Sequence, residues 1–165
     1  MALDPIPTSF QSDGNWTITY VPAASNPLSA AILNAGTAKD VTYGLTADGF
    51  NYAITQAEVE DKRLTLQQDL SAPGKTKETL TLKYVDTTDA DAPATLFTEG
   101  LRGYLVVRRG IANGTAYTAT THKVDVLDVV FGKQIPDAPT ENGLDTITQG
   151  TFFKSATQRK ATVVA

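Results

Sequence analysis

Cysteine is absent from all 165 residues, which excludes thiol nucleophiles, disulfide frameworks and cysteine metal sites. Histidine occurs once, at His122. A single imidazole could act as a base, but a metal centre needs other strong ligands beside it and the sequence signals none. Its expected role is at a surface or an interface. No apolar run approaches the ~18 residues of a membrane span. The opening Met-Ala-Leu-Asp-Pro-Ile-Pro has neither the basic flank nor the hydrophobic stretch of a secretory signal. The chain therefore reads as soluble and intracellular in origin. Positive charge is in short supply too: a net −4 argues against a surface built to grip phosphate.

What remains is the composition of an ordinary globule, 41% hydrophobic and 19% charged. A chain of this size can bury roughly 70% of its unfolded surface in one domain, so no metal or disulfide staple is required. The strongest strand signals are Gly103–Arg109 and Val124–Phe131, short runs rich in Val and Leu with no proline inside. They are expected at the centre of the main sheet, closed off by Gly110 and Gly132. Asn15–Val21 alternates, with Trp16, Ile18 and Tyr20 on one face and Thr17, Thr19 and Val21 on the other, as a half-buried strand does.

Asn26-Pro27 reads as an N-cap and first helical residue, and Leu28, Ala31, Ile32 and Ala35 carry helical spacing up to Gly36. Asp48-Gly49 predicts a hairpin between strands at 39–43 and 50–55. Thr55 to Glu58 fits a capping box opening one helical turn. Strands at 63–70 and 77–85 flank an Ala-Pro-Gly turn at 72–74, the second with Leu80, Leu82 and Tyr84 facing inward. Ala92–Glu99 predicts a second short helix with Pro93 in its first turn. Ile147, Phe152, Phe153, Val163 and Val164 mark one or two closing strands. The sum is a mainly β sandwich or barrel with one or two short flanking helices. Its domain runs over residues 14–165, behind an extended arm at 1–13 whose Pro5 and Pro7 bar helix and whose Ile6 and Phe10 have little use for solvent.

Chemistry-bearing motifs are nearly missing. No serine sits in a nucleophile elbow, and Gly74-Lys75-Thr76 lacks the first glycine of a phosphate-binding loop, since position 69 is Asp. Asp86, Asp89 and Asp91 lack the central glycine and closing glutamate of a calcium loop. Asp125 and Asp128 stand three apart on a strand and so point to opposite faces, which is wrong for a cooperating carboxylate pair. Arg108-Arg109 reads as a solvated strand end. No cofactor, metal or catalysis is expected.

Four stretches, in order, carry a resemblance: Ala30-Ala31-Ile32-Leu33-Asn34-Ala35-Gly36 with Asp40-Val41-Thr42, Leu105 to Gly110, Val124 to Gly132 with Pro136, and Gly150-Thr151-Phe152-Phe153. Together they resemble the major tail tube proteins of long, non-contractile-tailed (siphovirus-type) bacteriophages, particularly those infecting actinobacteria. The resemblance implies a virion structural subunit, made in the host cytoplasm, whose six copies close into a ring. Rings stack into a hollow tube through which double-stranded DNA passes without specific binding. It also implies tape measure, tail terminator and distal tail proteins as partners. Contacts between rings would come from the arm (Pro5, Ile6, Pro7, Phe10), a long loop and the C-terminal Val163 and Val164. A polar, net negative lumen is expected, with Asp125 or Asp128 on its wall. Tube subunits of secretion systems share this class. The alternative is a monomeric β-sandwich module binding carbohydrate or protein. It would want an exposed aromatic platform, whereas Trp16, Tyr20, Phe50, Tyr52 and Tyr84 alternate as core residues do.

Overall fold

Val124, Val126, Leu127, Val129 and Phe131 are all buried, and the strand that carries them is the spine of the sheet. The computed structural model describes residues 9, 11–62 and 70–165. Within them the strands are β1 (Trp16–Pro22), β2 (Lys39–Asp40), β3 (Leu45–Asp61), β4 (Leu70–Val85), β5 (Arg102–Arg109), β6 (Lys123–Pro136), β7 (Thr146–Phe153) and β8 (Gln158–Thr162). Two one-turn helices, α1 (Ala30–Leu33) and α2 (Pro93–Leu96), join them. Every strand pair is antiparallel, in the order β2-β1-β5-β6-β7-β4-β3. One edge of β6 takes β5; the other takes β7 over its C-terminal half and β8 over its N-terminal half. The expected mainly β fold with short helices is therefore present, as one sheet that curls on itself. The curl brings β1 against β3, far apart in the order, where Trp16 meets Phe50 edge-on at 6.2 Å.

Two cores lie on the two faces of the central strands. Inside the curl, Ile18, Tyr20, Leu80, Leu82, Tyr84, Leu105, Leu127 and Phe131 pack around Phe97. Phe97 stacks on Phe131 at 4.2 Å and meets Tyr20 and Tyr84 edge-on at 5.6 and 6.0 Å. Outside it, Val21, Val106, Val124 and Val126 are covered by Leu33, Tyr117 and Val163. β1 is thus buried on both faces, where the alternation predicted one. This double cover also explains why β5 and β6 read as nearly continuous apolar runs.

Several local expectations give way to tertiary contacts. Asp48-Gly49 makes no hairpin; it forms an irregularity within β3, between Leu45 and Phe50, and residues 42–44 are a 3₁₀ turn. A Cβ on Gly49 would fall 2.1 Å from the Lys83 carbonyl, so the close approach of β4 is what demands glycine there. Gly132 does not end its strand either. β6 runs on to Pro136 through a register shift, and a Cβ at 132 would sit 2.7 Å from the Gly150 oxygen. The capping box at 55–58 is extended backbone, with Glu58 opposite Pro73, and the 72–74 turn is likewise mid-strand in β4. The predicted strand at 63–70 lies outside the described residues except at Leu70.

Both helices are shorter than expected. Asn26 accepts from the Leu28 N–H at 3.0 Å, closing a turn rather than capping a helix, and α1 begins only after Ser29. α2 stops at Leu96 because Phe97 leaves the helix to enter the core.

Candidate assembly surfaces

The β3–β4 pair is far longer than the sheet it belongs to. Twelve registered pairs join the two strands from Leu45↔Tyr84 out to Asp61↔Leu70, while β7 backs β4 only from Leu80 to Val85. The outer part, Ala53–Asp61 against Leu70–Thr79, is a two-stranded ribbon with no third strand among the described residues. Ile54, Val59 and Leu70 are 42%, 56% and 50% exposed on it. A two-stranded ribbon alone is marginally stable in water. Its free edges are of the kind that pair with other chains. Sequence reasoning missed this element because its polar residues carry no buried face to alternate with. The one readable signal was Pro73 with Lys75 and Lys77, residues that guard an exposed strand edge.

Asp125 and Asp128 do point to opposite faces, and each is committed to an arginine of its own chain. Asp128 accepts from Arg102 Nε and Nη2 at 3.0 and 2.7 Å and from Ser155 Oγ at 3.2 Å. The hydrogen bonds from Arg102 hold its carboxyl below the usual carboxylate value of 3.8, against the opposing effect of its burial. A group so lowered stabilises the fold above its unfolded pKa, and that contribution disappears as pH falls through the folded value. Asp128→Asn should therefore lower the melting temperature at pH 7, with the gap to the parent narrowing towards pH 2 in thermal scans. A gap of constant size would contradict this account. Asp125 lies 3.0 Å from Arg109 Nη2 and accepts from the Lys160 N–H at 2.8 Å. Arg109 in turn covers the Trp16 ring at 4.8 Å.

Arg108 is not a solvated strand end. Its guanidinium is fully buried, 4.4 Å above the Tyr117 ring, and donates to Thr17 Oγ1 at 3.2 Å and the Ala112 carbonyl at 3.4 Å. It pins the connector between β5 and β6 to the sheet. His122 belongs to that connector and is buried, which corrects the surface or interface role expected of it. Its Nδ1 accepts from the Thr118 N–H at 3.1 Å, and burial first, then the Arg108 charge, hold its pKa below the usual value.

Val163 fills the outer core of its own chain, while Val164 is partly exposed and its backbone pairs with α1: the Ala30 N–H donates to Val164 O at 2.7 Å. Pro5, Ile6, Pro7 and Phe10 lie outside the described residues. The described residues contain no group of three or more His, Asp or Glu placed to hold a metal, and no helix long and apolar enough to cross a membrane. Of the aromatics that could have formed a platform, Tyr20 and Tyr84 are buried and Trp16, Phe50 and Tyr52 pack at the margin of the inner core.

A curled β domain with a ribbon that no third strand backs among the described residues presents edges open to pairing. Residues 3–165 match the phage tail tube protein family, and the chain belongs to that family. No curated protein matches it. Membership makes the chain a structural tail tube subunit and a component of the virion, and it implies self-assembly with other phage tail proteins.

Proposed function

We propose that six copies of this chain close into a ring and that rings stack into the hollow tube of a long, non-contractile tail of a phage infecting actinobacteria. Double-stranded DNA passes through the lumen without specific binding. The observation that carries the reading is the ribbon: twelve registered pairs, of which the outer ones are backed by no third strand among the described residues. Neighbouring copies supply that support. Closing a ring is a cyclic use of one heterologous interface, and stacking repeats a second that never closes. The tape measure, tail terminator and distal tail proteins are the expected partners at the tube's interior and ends. The chain acts without a cofactor and catalyses nothing.

The lumen wall is polar and net negative, with Asp125 or Asp128 as its candidates. Acidic walls repel a duplex over a reach of roughly 8 Å at physiological salt, whereas a basic wall would hold it by counterion release. Pro5, Ile6, Pro7 and Phe10 of the arm act between rings, together with Val164, while Val163 holds that segment to its own core. Negative-stain microscopy of the purified chain tests the reading: six-fold rings or tubes are expected, and a chain that stays monomeric at every concentration overturns it. Deleting residues 2–12 should leave a folded subunit whose rings no longer lengthen. Tubes of parental length from the truncated chain would reduce the arm to a tail.

A further inference from the structure

An open cavity of about 380 Å³ lies where β5 ends and β6 and β8 meet, walled by Val107, Arg109, Lys123, Asp125, Arg159 and Lys160. Four cations thus share one carboxylate, in a chain whose net charge is −4. Asp125 answers Arg109, and Arg159 leans over the Tyr52 ring at 5.6 Å. Lys123 and Lys160 are exposed and have no carboxylate partner among the described residues. The Lys160 backbone is fixed in the left-handed region, at φ +50°, by the bond from its N–H to Asp125. The β6–β8 pairing shifts register at this point. The backbone therefore fixes Lys160 at the rim of the recess.

The other end of the sheet has the opposite sign. Asp86 follows β4 directly and Asp145 precedes β7, and the Asp86 N–H donates to the Asp145 carbonyl at 2.9 Å. Asp89 and Glu141 stand in the same two loops, all four exposed and without a cation among the described residues. β6 spans the distance between the ends. Lys123 is its first residue, and Pro136, its last, leads into the second acidic loop. Fourteen residues at ~3.3 Å each separate the two charges by roughly 45 Å.

We propose that the cationic recess of one copy receives the acidic Asp86–Asp145 end of a second copy, so that the tube grows by a repeated contact of opposite charges. The proposal rests on the tube reading and adds to it the residues of one interface. A second copy suits the recess better than a duplex does. Each chain brings one acidic end for each recess, and Asp125 already stands among the cations. A duplex carries one charge per ~1.7 Å and asks for a row of cations rather than a single hollow. The contact places Asp125 at a junction between copies and leaves Asp128 as the lumen candidate.

Charge reversal tests it on the full chain, with circular dichroism confirming that each variant is folded. K123E/K160E and D86K/D145K should each raise the critical concentration for assembly at least ~10-fold, equivalent to ~1.4 kcal/mol. The four substitutions combined should bring it back to within about 3-fold of the parent, because the exchanged positions again carry opposite signs across the contact. If the parent assembles and both single-end variants assemble equally well, the interface is wrong while the tube reading stands. If K123E/K160E instead abolishes binding of a fluorescent DNA duplex and the combined variant is not restored, the recess is a nucleic-acid contact and the proposal falls. A parent chain that never assembles overturns both readings together.

Discussion

Phe97→Ala should lower the unfolding free energy by about 3–5 kcal/mol, the usual cost of emptying a core aromatic site. Phe97 is fully buried and touches three other rings, Phe131 stacked and Tyr20 and Tyr84 edge-on. It leaves a one-turn helix and inserts its ring into the inner core. Its carbonyl also anchors two amides, accepting from Gln134 Nε2 at 3.1 Å and Gln149 Nε2 at 2.9 Å. Gln149, fully buried, additionally accepts from the Tyr84 hydroxyl at 2.9 Å, a phenol that burial pushes up to about 12 and so keeps as a donor. Loss of the ring therefore loosens a satisfied polar network as well as opening a cavity. Urea titration reads the effect as a fall in midpoint with little change in slope. Phe152→Ala is the control: that ring is 64% exposed and should move stability by no more than about 0.5 kcal/mol. Equal losses from the two variants would refute the central place given to Phe97.

Cutting the ribbon should do the reverse, sparing the fold and removing assembly. Gln56 and Thr76 already face each other across the pair. Replacing residues 57–75 by Asn-Gly would join them through the two-residue turn that suits antiparallel strands. The outer ribbon rests on no third strand among the described residues, so its loss takes little burial from either core. The melting temperature should stay within a few degrees of the parent, while rings and tubes vanish from electron micrographs and from pelleting assays. Tubes of parental yield would show that the ribbon is ornament.

The parts of the structure that were legible in the sequence are those where local pattern and burial agree. Val and Leu without proline announced β5 and β6, and Leu80, Leu82 and Tyr84 gave the inward face of β4. The failures have a common physical cause. Asp48-Gly49 and the capping box at 55–58 are signals of local preference, and pairing with β4 overrode both. The outer core was invisible because Val21, Val106 and Val163 are covered by segments far away in sequence. Arg108 looked like a solvated charge because no motif says that Tyr117 and the Ala112 and Ala116 carbonyls will close over it. The ion pairs of Asp125 and Asp128 needed register, which sequence alone does not supply.

The inequality between the doubly covered strands and the bare ribbon has a mechanical meaning. β5 and β6 carry side chains packed on both faces, and interiors packed to that density are stiff. Among the described residues the outer ribbon has no third strand to resist twisting. In a tube whose copies join through such ribbons, curvature of the tail would fall on the thin strips between subunits, while each sheet kept its shape. Bending would then cost a few ladder bonds at each joint and leave the bore round, so the flexibility of the whole filament would be fixed by its least supported strands.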